Sequence, residues 1–535
     1  MRMETFLVPR SGRRCRLRPC LNTLLGAEAL ESRQLLSTYT PTNLTALNSV
    51  VVTPAVQAAS QSAVTNPTPQ GQTPAQIRTA YGFSQVKGDG TGQTIAIIDA
   101  FNDPNLASDL NTFDKQFGTT ANGSSLFSQY GSASSFLTAV NQSGGNPSAS
   151  TDAGWALETS LDVEWAHAIA PGAKILLVEA NSGNLGDLLS AVDYARHQPG
   201  VSTVSMSWGA SEFLGETSLD GLFTTPAGHP GVTFVAAAGD DGGLSGANWP
   251  AASPNVLSVG GTTLQTQSNG TYAGESAWTL GGGGFSVFEP EPAYQTQAQQ
   301  TGVRTTPDVA YNADPNTGFA VYDSLTNQGQ SGWFQVGGTS AGAPQWAALV
   351  AVADQSLPKG ASLDGAKQTL PALYGLAASS ATSSAFHDVS SGNSFLFRTR
   401  VGYDLATGLG SPTANQLIPA LAGGSSSPAI VQPQVRAFAA VSTATGSQAP
   451  LPSPSSPQDV TSTSTSLSNP AIVVVLVQSG NQVVAVAVPL FPTTLNLTLP
   501  SLVPPATHIA PSSPQVEVPP AQLAVTPISD DILPL

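Results

Sequence analysis

The chain has 535 residues, a formal charge of −16, 40% hydrophobic residues and only 10% charged ones. Seven of its eighteen Lys and Arg lie in residues 1–33, and beyond them 11 basic residues face 31 acidic ones. That balance excludes a partner held through phosphate contacts, so no nucleic acid is expected. A sparse acidic surface instead suits low pH, where exposed carboxylates are neutral. Both cysteines, Cys15 and Cys20, fall in the basic N-terminal stretch, which leaves the rest of the chain without a disulfide or a thiolate nucleophile.

Residues 1–37 read as an atypical export leader, a basic portion followed by an apolar one broken by Asn22, Gly26 and Glu28. Its ending, LESRQLLS, resembles a leader on some large exported bacterial proteins, and an extracellular or cell-surface location is expected; the alternative is a basic tail. Residues 38–72 are rich in Thr, Ala, Gln and Pro and read as linker. A folded composition begins at Thr73 and ends near Gly423. Within it Gln93–Asp99, Ala173–Ala180, Val201–Trp208, Val232–Ala238 and Val256–Val259 read as buried strands. Helical spacing marks 103–117, 150–171 and 185–196, and a helix is expected between the strands at 201 and 232. Apolar strands alternating with helices predict an α/β fold, a parallel sheet covered on both faces. Sites in such sheets lie beyond the carboxyl ends of the strands. The glycine run Gly281–Ser286 reads either as a place of close backbone approach or as a turn. Residues 424–535 form a Ser/Pro-rich, partly β tail with a hairpin expected near 471–490. A membrane helix there would carry Gln478, Ser479, Asn481 and Gln482 at its centre. The tail suits surface or membrane association, and the chain is expected to be monomeric.

The stretch 336–348, VGGTSAGAPQWAA, reads as a strand end, a Gly-Gly turn and a Ser at the mouth of an apolar helix. Ser340 is then either a helix cap or a nucleophile, which needs a base within hydrogen-bond reach. A serine–histidine pair would want a His in a Gly-rich turn such as HGT, and none occurs; His167 reads as a structural helix residue. The helix STDAGWALETSLDVEWAHAIAP offers acids instead. Glu158 and Asp162 are four apart and share one face, and a close, partly buried carboxyl pair raises at least one pKa. Asp240, in AAAGDDGG, follows a strand's carboxyl end; it is either a turn residue or a third acid of the site.

ETSLDVEW, VSMSWG, AAAGDDG, GGGGFS, TPDVAYNADP and GGTSAGAP occur here in the order found in the sedolisins, the serine-carboxyl peptidases. This chain resembles that family over roughly 73–412. The resemblance implies an enlarged subtilisin-like fold and an acid-acting serine-type endopeptidase that hydrolyses protein or peptide substrates. It implies Ser340 as nucleophile, Glu158 as base, Asp162 as its partner and Asp240 as oxyanion donor; Asp241 competes for the last role, but Asp240 directly follows Gly239 as the family turn requires. It also implies one structural Ca²⁺ in the segment 387–412, held by the Asp388 and Asp404 side chains and the carbonyls of Val389, Arg400 and Gly402, hard oxygen ligands of the kind calcium takes. Here the loop between the aspartates is shorter than is usual, and Arg400 stands where a small residue is common. About 35 residues separate the leader from the domain, too few for an independently folded prodomain. The competing readings are a subtilisin-type protease with a histidine base and a degenerate peptidase fold used for surface binding.

Overall fold

In the computed structural model the alternating apolar runs assemble an eight-stranded sheet. The structure describes residues 52, 57–58, 65–121, 123–379 and 383–423, and the backbone of 471–479 and 482–490. Across the sheet the strands run Tyr272–Ala277, Val256–Thr266, Thr233–Ala237, Val201–Met206, Thr94–Ala100, Lys174–Ala180 and Leu137–Asn141. Val309–Asn312 also pairs with Val256–Thr266. All pairings are parallel except that of Tyr272–Ala277, which closes one edge antiparallel.

Side-chain alternation explains why both faces need cover. In Thr94–Ala100, Ile95 and Ile97 join one apolar cluster, while Ala96, Ile98 and Ala100 join the other. Ala153–Ile169 and Gly342–Asp354 cover the first face, and Leu185–Arg196 the second. The expected helix 150–171 forms as Ala153–Ile169. Asp152 caps it, its carboxylate accepting from the N–H groups of Gly154 (3.0 Å) and Trp155 (3.1 Å). Every residue from Trp155 to Ile169 is buried, which makes this an interior helix, not an amphipathic surface one.

Three expectations change. The segment between the strands at 201 and 233 turns in 3₁₀ form over Glu216–Phe223 instead of making an α-helix. The strand expected at 256–259 continues to Thr266; Gly260 and Gly261 interrupt its apolar pattern but not its pairing. The segment 38–72 is not simply linker. Gln57–Ala58 pairs antiparallel with Val336–Gly337, Thr65–Asn66 pairs parallel with Ser331–Gly332, and the buried Val52 donates its N–H to the Gly183 carbonyl at 2.8 Å.

The chain divides into two compact units, residues 1–434 and 435–535. In the second, Ala471–Ser479 and Gln482–Leu490 form an antiparallel pair. Among the described residues no helix is long and apolar enough to cross a membrane.

Candidate active site

The sheet reverses its direction of growth at Thr94–Ala100: the chain first adds strands on one side of it, then on the other. A crevice beyond the carboxyl ends of the strands is expected at such a switch point. Asp99 ends that strand, Ser207 follows Val201–Met206, and Asp240 follows Thr233–Ala237. Ser340 reaches the same end from Gln330–Gly337. Gly338 takes φ 107°, a left-handed value that a side chain would resist, and turns the chain into a short 3₁₀ segment, Thr339–Ala341. The helix Gly342–Asp354 starts one residue later, and neither element is capped by a side chain. The helix-cap reading of Thr339 or Ser340 therefore fails.

The turn at Ser340 packs directly against the acid helix. Ser340, Glu158 and Asp162 are fully buried. Ser207 links them: its hydroxyl lies 2.9 Å from Asp162 Oδ1 and 3.2 Å from the Ser340 carbonyl, and its own carbonyl accepts from Ser340 Oγ at 3.3 Å. Asp240 is fixed beside Ser340 by Thr339, whose N–H (2.8 Å) and hydroxyl (2.7 Å) both donate to Oδ1. Asp240 Oδ2 is buried and has no partner among the described residues. Asp241 is spent on its own turn, accepting from the N–H groups of Gly243 (3.0 Å) and Ser245 (2.8 Å).

Burial sets the electrostatics. It lifts Asp240 to about 7, against the opposing pull of the Thr339 hydrogen bonds. It lifts Asp162 well above the carboxylate range, with the charges of Asp99 and Glu158 adding to the shift, and raises Asp99 itself to about 7. Asp99 and Ser207 are the two site residues that sequence reasoning missed. Both sat inside stretches read only as buried strands, QTIAIID and VSMSW. Their position at strand carboxyl ends was the available signal.

The histidines are occupied elsewhere. His167 stacks on Phe136, ring centroids 4.0 Å apart, with Nε2 3.4 Å from Asp114; burial pushes its pKa down to about 3. Burial raises Asp114 to about 8, so the two form a neutral pair near neutral pH. His197 bonds the Asp193 carbonyl, His229 that of Gln198, and His387 stacks on Tyr272. His508 lies outside the described residues.

The glycine run resolves as close packing within the chain. A Cβ on Gly282 would lie 2.3 Å from the Ala238 carbonyl oxygen, and its N–H donates to the Gly239 carbonyl at 2.6 Å. Its role is to press one loop against the Asp240 turn.

The five residues expected to hold calcium gather in one loop. Gly402 N–H donates to Asp388 Oδ2 at 3.0 Å, and Arg400 N–H donates to Asp404 Oδ2 at 2.9 Å. Asp404 Oδ1 accepts from the N–H groups of Ala406 and Thr407, and the Thr407 hydroxyl lies 3.5 Å from the Val389 carbonyl. The Arg400 side chain folds back, Nε donating to the Tyr403 carbonyl at 2.7 Å. Two carboxylates with neighbouring carbonyls are chemically suited to a hard cation. No group of three or more Asp, Glu, His or Cys side chains that could hold a metal occurs among the described residues, so backbone oxygens would have to complete any shell.

Residues 90–393 match the model of the subtilase family. The chain belongs to that family, on its sedolisin branch. It is 36% identical to kumamolisin of Bacillus sp. (strain MN-32) over 403 residues, 68% of this chain and 65% of that protein. It is 35% identical to sedolisin of Pseudomonas sp. (strain 101) over 245 residues, 39% of each. The chain thus spans less than two thirds of the length of these two curated relatives. The solved structure of Pseudomonas sedolisin, a serine-carboxyl proteinase complexed with two molecules of pseudo-iodotyrostatin, superimposes with a TM-score of 0.55 at 28% identity. That match covers 66% of this chain and 98% of the solved one. The subtilisin-like α/β fold with a mostly parallel sheet agrees with the sequence expectation.

Proposed function

We propose that this sedolisin-branch chain is an exported, acid-acting serine-carboxyl endopeptidase that cleaves protein or peptide substrates. One observation carries the reading: Ser207 joins the buried Ser340 turn to Asp162 on the acid helix, while Thr339 fixes Asp240 on the other side. Ser340 Oγ attacks the scissile carbonyl, and Glu158 takes its proton and returns it to the leaving amine. Asp162, held by Ser207 and one helical turn from Glu158, shares that proton and orients the base. Protonated Asp240 donates from Oδ2 to the oxyanion, with the Ser340 N–H as second donor. The engaged histidines weigh against a histidine base, and the retained acid set weighs against a purely binding fold. The basic leader and sparse acidic body support export. We also place one calcium ion among Asp388, Val389, Arg400, Gly402 and Asp404; bound there, it would brace the loop without entering the chemistry.

The test is hydrolysis of a protein substrate from pH 3 to pH 9 by the full chain and by Ser340→Ala. Activity confined to acid and lost in Ser340→Ala is expected. Activity that survives Ser340→Ala, or that peaks in alkali, would refute the proposal.

A further inference from the structure

Seven large apolar side chains are exposed among the described residues, and four of them attach to the turn that follows Asp240: Leu244 (62% exposed), Leu280, Phe395 (61%) and Leu396 (54%). Two loops hold them there. Gly242 N–H donates to the Leu280 carbonyl at 2.8 Å, Leu396 N–H donates to the Gly242 carbonyl at 3.2 Å, and Phe395 N–H donates to the Thr279 carbonyl at 2.7 Å. The contact is close enough that a Cβ on Gly242 would meet Phe395 Cβ at 2.5 Å. Phe397 anchors the second loop from beneath. Its ring would lie 2.8 Å from a Cβ on Gly243 and makes an edge contact with Phe285, centroids 6.3 Å apart.

Scattered exposed apolar residues need no explanation, but a cluster beside a polar site does. This one begins two residues from Asp240, whose buried Oδ2 has no partner among the described residues. A peptide with its scissile carbonyl between Asp240 and Ser340 must cross this turn. The occupant the patch fits is therefore an apolar side chain of the substrate. We propose that Phe395 and Leu396, with Leu244 and Leu280, form an apolar wall of the substrate cleft that selects peptides with a bulky apolar residue next to the scissile bond. The inference rests on the peptidase reading and adds its substrate class. It also gives a use to the loop SFLFRTR, the part of the chain where the spacing between Asp388 and Asp404 departs from the family pattern.

The test uses the full chain and quenched peptides that differ only in the residues flanking the cleaved bond: Leu, Phe, Ala, Glu or Lys. The wild type should prefer Leu or Phe over Ala. In Phe395→Ser/Leu396→Ser that preference in kcat/KM should fall about tenfold, the scale of a lost apolar contact in a specificity pocket. Hydrolysis of the Ala peptide should stay within about twofold, and Phe395→Leu should keep the preference. An unchanged preference overturns the proposal and leaves the peptidase reading standing, as does an equal loss on every peptide. Loss of self-association without a change in preference would assign the patch to a second copy and also overturn it. If the double variant does not melt cooperatively, Leu396→Ser carries the same comparison. Absence of any Ser340-dependent hydrolysis in the wild type overturns both.

Discussion

Thr339 commits both of its donors to Asp240 Oδ1, which leaves Oδ2 as the atom able to act on a substrate. Only the protonated acid can donate from that atom, and burial holds its pKa near 7. As pH rises through that value the proton is lost, and with it the oxyanion bond. Asp240→Asn tests this directly. The amide keeps the Thr339 bonds through its oxygen and donates through its nitrogen at every pH. Asp240→Ala should lower kcat by about 10²–10³, the usual effect of removing one oxyanion donor, while Asp240→Asn should lose much less and shed the alkaline fall near pH 7. Equal losses in the two variants, with the pH profile unmoved, would remove Asp240 from the oxyanion role. Of this residue's environment, the sequence showed only a Gly-Asp turn after a strand. The partner, Thr339, lies 99 positions away, and only the fold joins them.

The acid helix was legible from its spacing, because Glu158 and Asp162 four apart must share a face. Its complete burial was less so: that depends on Phe319–Asn327, Gly342–Asp354 and Leu106–Gln116 closing around it. The short pairings of Gln57–Ala58 and Thr65–Asn66 left no trace at all, since two residues carry no period. The loop from Asp388 to Asp404 was legible through its motif alone, and its metal is open to a direct measurement. A ligand that binds only the folded state stabilises it by about 2.7 kcal/mol at a hundredfold excess over Kd. For a domain of this size that moves Tm by several degrees, roughly 2–4 °C per kcal/mol. Chelation should therefore lower Tm, and added calcium should restore it in the wild type but not in Asp404→Asn. A Tm indifferent to chelation would refute the calcium proposal.

The whole molecule carries far more buried acid than its catalytic reading requires. Asp103 is raised by burial to about 6, and Asp114, Glu179, Asp323 and Asp354 to about 8, all outside the Ser340 site. Composition disclosed the acidic balance, yet it could not tell surface carboxylates from interior ones, because burial is decided by which faces the sheet and helices cover. The consequence for stability has a definite sign. Each of these groups holds its proton more tightly folded than unfolded, where an Asp or Glu titrates near pH 4. Between pH 4 and pH 8 the folded state therefore binds more protons, and stability falls as pH rises, by up to about 1.4 kcal/mol per pH unit for each group fully engaged. His167, with its pKa pushed down to about 3, acts in the opposite sense below its unfolded value, but it is one group against several. Tm should thus be highest near pH 4 and decline steadily to pH 8. Asp323→Asn should make the decline shallower, since the amide still accepts from Leu325 N–H as Oδ1 does at 2.7 Å, while the partnerless Oδ2 no longer has a proton to lose. Thermal melts of both proteins at one-unit steps measure this. A wild-type Tm that is flat or rises toward pH 8 would mean that these carboxyls are hydrated in solution and that acid adaptation resides in the Ser340 site alone.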